Sequence, residues 1–143
     1  MPTTLPPAPP WRRLAAFTYD LLALIGLWFA VGVAAVAIKG GAVDIDDWRE
    51  LLLLYGTLWL VMGLYYAVSW RHGGQTLGMR PWRLQVERTG GGVVGFGQAW
   101  LRYACGWLSL LPLGAGLVLC WFDGDRRALH DRLAGTRIGL LPH

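Results

Sequence analysis

The sequence predicts an all-α integral membrane protein: two full transmembrane helices, a third apolar unit broken at Pro112, and a small cytoplasmic two-stranded element. Three observations carry this. Hydrophobic residues make up 55% of the 143 residues and charged residues only 15%, less charge than a soluble domain of this size normally carries. Leu51 to Trp70 is a run of 20 residues without a charge, which as a helix covers about 30 Å, enough to cross the hydrocarbon layer. The stretch from Trp11 to Ile38 is nearly as apolar beyond its opening Arg12 and Arg13, and holds a single acid, Asp20. The natural count is one membrane domain over residues 11–139, preceded by a disordered proline-rich tail over 1–10 and followed by a short C-terminal tail over 140–143.

The N-terminal tail contains five prolines and no helical pattern, so it is expected to be mobile. Trp11 marks the membrane interface, and the first span runs from there to about Ile38, where Lys39-Gly40-Gly41 ends it. A cleavable signal peptide is the rival reading of this segment. Arg12 and Arg13 form a basic flank and Ala35-Val36-Ala37 resembles a cleavage site. The apolar region from Leu21 to Ile38 is 18 residues, however, longer than a typical signal core, and an acid precedes it. The loop that follows is acidic, with Asp44, Asp46, Asp47 and Glu50 against Lys39 and Arg49. A solvated loop face explains this cluster better than a metal site.

The second span is bracketed by Trp48 and Trp70 as interfacial anchors. Its small residues Gly56, Gly63 and Ala67 form a stripe suited to receive the first helix in an antiparallel hairpin. From Arg71 to Arg102 the chain carries five arginines against Glu87 alone. The tail is likewise basic and the inter-span loop is not, so the positive-inside rule puts the N-terminus and this segment in the cytoplasm. Trp82 to Arg88 alternates apolar and polar and runs into Thr89-Gly90-Gly91-Gly92, a strand and a turn.

Trp100 to Phe122 is apolar but interrupted by Pro112, Gly114 and Gly116. As one helix its 23 residues could span the membrane; as two pieces, each reaches only about 15 to 18 Å. Beyond it, Ala134 to Gly139 reads as a second strand. Two strands in opposite compartments would leave unpaired edges, so a broken re-entrant or hairpin unit that returns the C-terminus to the cytoplasm is favoured. Cys105 and Cys120 sit in apolar surroundings without a metal or redox spacing and read as buried thiols. The net charge of +4 would suggest nucleic acid in a soluble protein. Here the arginines flank spans, so the lipid bilayer is the expected partner and nucleic acid is not.

A carboxylate inside a span costs about 2.5 to 3.5 kcal/mol near a helix centre, so Asp20 requires shelter. On a helix it shares a face with Arg13, Ala16, Ala23, Ala30 and Ala34, with Gly26 at the margin, while Leu14, Leu21, Leu22, Ile25, Trp28, Phe29 and Val36 crowd the other side. Small residues let helix backbones approach and bulky ones suit lipid. Asp20 is thus expected to face a helix interface or a wet cavity. Arg13 is two turns away, about 10 Å along the axis, too far for a tight pair without bending down.

Arg13-Leu14-Ala15-Ala16-Phe17-Thr18-Tyr19-Asp20, Gly74-Gln75-Thr76-Leu77-Gly78, Gln98-Ala99 followed by Arg102, and His130-Asp131 before Ala134-Gly135-Thr136 occur in this order. Together they make the chain resemble the RDD family over roughly residues 11–139, whose eponymous arginine and two aspartates would be Arg13, Asp20 and Asp131. The resemblance implies a bacterial or archaeal multi-pass protein of the plasma (inner) membrane, with transport, and cation/proton exchange in particular, as the suggested activity. The chain is nearly a bare domain with a proline-rich start, so a role that relatives owe to a fused domain is not carried over.

The expected function is therefore that of a transport component in which Asp20 exchanges a proton for a cation. Two spans and a broken third are too few to enclose a pathway, which calls for a homo-oligomer or a partner membrane protein. The alternative is a structural or adaptor subunit in which Arg13, Asp20, Arg102 and Asp131 form a polar network fixing helix register. Arg102 and Arg137 are both candidates to pair with Asp131. An enzyme is not expected. No Ser or Cys nucleophile has a recognisable setting, His130 and Asp131 are adjacent in sequence and diverge on a helix, and Asp123-Gly124-Asp125 lacks the other ligands of a calcium loop. No cofactor or metal is implied.

Overall fold

The long apolar runs form helices of membrane-crossing length in the computed structural model, which describes residues 5–110, 122, 124 and 127–142. Helix α1 spans Pro10–Lys39 and α2 spans Trp48–Arg71. A proline at the first position of α1 suits a helix start, where its missing N–H has no intrahelical partner to lose. Gly40 ends α1 with a left-handed φ of 75° and donates to the Val36 carbonyl. Asp47 caps α2 by accepting from the Arg49 N–H at 2.9 Å. Glu50 pairs with Lys39 across the hairpin and accepts from the Asp44 N–H. The loop acids are thus engaged in capping and closing the turn.

A core helix of a soluble protein would be mostly buried, whereas only 6% of the most apolar stretch of α1 and 17% of that of α2 are covered. Leu22 and Phe29 are 69% and 75% exposed. Such faces are stable in lipid and not in water, which makes the two helices membrane helices. The small-residue face expected on α1 is packed only in its first half. Ala16, Asp20 and Leu24 are buried, while Ala30 and Ala34 are exposed.

After α2, the chain turns through residues 72–83 into strand β1, Leu84–Arg88. Helix α3, Phe96–Leu110, follows, then the short helix α4, Leu129–Leu133, and strand β2, Thr136–Leu140. The two strands anticipated from alternation do pair, antiparallel, with Val86 opposite Ile138. β1 begins two residues later than the pattern implied because Arg83 takes a left-handed φ of 57°, which turns Trp82 and Arg83 out of the strand. The break at Pro112, Cys120, and Asp123 with Asp125 lie outside the described residues.

The stretch read as a mobile tail is, over residues 5–9, laid along β2. The Ala8 N–H donates to the Ile138 carbonyl, the Leu140 N–H donates to Pro6, and Pro7 bridges Gly139. Prolines are tolerated there because an edge strand needs donors on one side only. The Leu5 N–H donates to Glu87, and Arg137 grips both Glu87 and the Leu5 carbonyl. Leu140 likewise belongs to β2 rather than to a C-terminal tail.

Gly63 does not receive α1. A Cβ there would collide with the Trp100 and Tyr103 rings, so this notch admits α3, and the Tyr103 hydroxyl donates to the Trp59 carbonyl at 2.9 Å. Gly56 has nothing within 4 Å of an added Cβ among the described residues. The glycine that lets α1 approach is Gly78, in the turn after α2, where a Cβ would strike the Ala16 carbonyl and the Asp20 carboxylate.

Candidate functional site

The helical spacing that places Ala16 and Asp20 on one face of α1 presents them to the Thr76-Leu77-Gly78 turn. Asp20 is 4% exposed. Its Oδ1 accepts from the Tyr65 hydroxyl and the Gly78 N–H, each at 2.9 Å, and its Oδ2 accepts from the Thr76 hydroxyl at 2.5 Å. The turn is itself tied in: the Leu77 N–H donates to the Tyr65 hydroxyl and the Met79 N–H to that of Thr76. Among the described residues its three donors are all neutral, so none of them brings a counter-charge.

The other acid is held differently. Asp131 is fully buried and takes ion pairs from both sides, Arg13 at 2.8 Å on Oδ2 and Arg102 on Oδ1. The Ala128 N–H adds a hydrogen bond at 3.0 Å. Arg102, 2% exposed, also donates to the Thr136 hydroxyl and lies over the Trp70 ring. Arg13 also donates to the Ile138 carbonyl. This cluster joins the start of α1 and the middle of α3 to α4 and β2. The four residues named from sequence thus form two groups, not one network: Arg13, Arg102 and Asp131 in one, and Asp20 with Tyr65, Thr76 and Gly78 in the other. Arg102, not Arg137, is the second partner of Asp131, because Arg137 is engaged by Glu87 at 2.5 Å. Both groups border a cavity of about 480 Å³ between α1 and α3.

Burial alone would raise the Asp131 carboxyl, but Arg102 foremost, with His130, Arg13 and the Ala128 N–H, holds it below the usual carboxylate range. His130 contacts the Ser109 hydroxyl at 3.2 Å, and burial pushes it down to about 4 against the pull of Asp131. A depressed histidine is stable neutral, so the folded state loses stability as pH falls from about 6.5 towards about 4, on the order of 3 kcal/mol in all. The depressed carboxyl adds a further loss below about 4. Unfolding followed from pH 7.5 to 4 is expected to show this slope in the wild type and a much flatter one in His130→Gln.

Tyr65, Thr76, Gly78 and Thr136 were not assigned these contacts from sequence. Hydroxyls and a backbone amide carry no charge by which to pair them with a distant acid, although Thr76, Gly78 and Thr136 stand in the motifs singled out there.

No curated protein and no solved structure matches the chain. The model of the RDD family matches residues 7–135, from the segment lying along β2 through both membrane helices and the paired arginines to the turn before Thr136. This membrane protein therefore belongs to the RDD family.

Proposed function

We propose that the protein is a transport component in which the Asp20 carboxylate exchanges a proton for a cation. The observation that carries this reading is the contrast between the two buried acids. Asp131 is neutralised by two guanidiniums, whereas the donors on Asp20 are a phenol, an alcohol and an amide. A buried carboxylate beside a cavity with only neutral donors retains a charge that a proton or a cation can compensate. The Tyr65 and Thr76 hydroxyls can also turn to accept, which adds oxygen ligands for a hard cation.

The protein is read as a multi-pass protein of a prokaryotic plasma membrane, with its N-terminus in the cytoplasm. Supporting this orientation, Arg12, Arg13 and the arginines of residues 71–102 are gathered at one end of the two helices. Supporting a return of the apolar unit after α3 to the same side, β1 pairs with β2, and paired strands share a compartment. The two membrane helices among the described residues enclose no pathway, and with a broken third unit they remain too few, so a homo-oligomer or a partner membrane protein completes it. Cation-dependent proton flux in proteoliposomes is expected for the wild type and is expected to fall to the level of protein-free vesicles for Asp20→Asn. Equal flux in both removes Asp20 from the mechanism.

One observation favours an adaptor instead: the three donors to Asp20 also fasten α1 to α2 and its turn, a structural duty complete in itself. Absence of wild-type flux together with low yield of Asp20→Asn selects that reading.

A further inference from the structure

The cavity between α1 and α3 has one polar end and one apolar end. At the polar end stand Arg13 and Arg102; the apolar wall continues past Leu21 to Trp28 on α1 and to Gly106 and Trp107 on α3. From Arg13 to Trp28 is 15 residues, about 22 Å at the helical rise. One leaflet from its headgroups to the midplane measures about 20 to 22 Å. The groove therefore has the length and the polarity order of one lipid.

Its polar end has the charge for an anion. Among the described residues, Arg13 and Arg102 stand there beside the carboxylate of Asp131, whose oxygens are occupied by the two guanidiniums and the Ala128 N–H. The Asp20 carboxylate also borders the cavity, but two turns further in, away from the polar end. Arg102, though 2% exposed, has an Nε without a hydrogen-bond partner among the described residues. An unpaired buried guanidinium N–H is costly, and because Arg102 lines the cavity, a small adjustment of its side chain would let an anionic oxygen there satisfy it.

We propose that this groove binds an anionic phospholipid of the leaflet on the Arg13 side, its phosphate against Arg13 and Arg102 and one acyl chain running along α1 to Trp28. The inference is independent of ion exchange at Asp20, and its test reads binding rather than flux. Thermal unfolding of the purified full chain in a neutral detergent is followed with phosphatidylglycerol, with phosphatidylcholine of the same chains, or with inorganic phosphate. Phosphatidylglycerol is expected to raise the midpoint by several degrees, and the other two are not. Among the described residues nothing lies within 4 Å of a Cβ added at Gly106, which lines the groove, so Gly106→Leu places its side chain in the acyl path. The variant is expected to fold and to lose the response to phosphatidylglycerol.

An equal response to both lipids, a response reproduced by phosphate alone, or a full response in Gly106→Leu overturns the proposal. Native mass spectrometry of the wild type supplies a readout that no variant can confound. Retention of one phosphatidylglycerol under conditions that strip phosphatidylcholine supports the site, and loss of both lipids together overturns it.

Discussion

Gly78→Ala is expected to destabilise the fold by about 3 kcal/mol or more, enough to remove most folded protein from the membrane. The added methyl would enter the space held by the Ala16 carbonyl and the Asp20 carboxylate, both on α1. Backbone cannot swing aside as a flexible side chain can, so α1 must withdraw. Withdrawal breaks the Gly78 N–H bond to Asp20 and loosens that from Thr76. Gly78 has no positive φ, so the effect is one of size and not of backbone strain. Gly56→Ala is the control. Among the described residues nothing lies within 4 Å of a new Cβ there, and helix propensity alone is expected to stabilise it by up to about 1 kcal/mol. Folded yield by size-exclusion chromatography in detergent separates the two.

Asp131→Asn is expected to cost about 3 to 5 kcal/mol, the penalty for leaving buried charge without its counter-charge. Asparagine keeps the shape and can still accept from the Ala128 N–H, but Arg102, buried between α3 and β2, loses its only carboxylate among the described residues. Because the same carboxylate holds Arg13, the variant is expected to loosen the start of α1 as well as α4. Faster hydrogen exchange in residues 10–20 and 128–140 together, against an unchanged α1–α2 hairpin loop, would display that coupling. Arg137→Gln affects only the Glu87 contact and the residue 5–9 segment, and a far smaller loss is expected.

The two membrane helices were legible because long, nearly uncharged runs bury their backbone in lipid only as helices, and the stop at Gly40 was legible in residue type; Asp47 reads as a loop acid, and its cap on α2 was not legible. The strand pair was legible through alternation and through the need of an edge for a partner. Its start was not, since a left-handed arginine at position 83 has no sequence signature. That Asp20 needed shelter followed from the cost of burying charge. Who shelters it did not follow, because Thr76 and Gly78 lie 56 and 58 residues away and are neutral.

Arg13 and Asp131 could be matched by sign, and the choice between Arg102 and Arg137 could not, being fixed by the packing of α3 on α4 and by the Glu87 that engages Arg137 across the strand pair. The stripe Gly56, Gly63, Ala67 told that a helix approaches α2, not which one. Residues 5–9 misled for a physical reason: proline excludes helix and central strand, yet leaves carbonyls and the Ala8 N–H free to line an existing sheet edge.

The central claim is that Asp20 is held by packed protein through the hydroxyls and amide that face it. A double-mutant cycle between Asp20→Ala and Thr76→Val, read from denaturant unfolding in micelles, tests it most directly. A hydroxyl donating to a buried carboxylate at 2.5 Å is expected to give a coupling of about 1.5 to 3 kcal/mol, the double variant losing less than the sum of the singles. Strict additivity would mean that the two side chains do not meet, and would contradict the account.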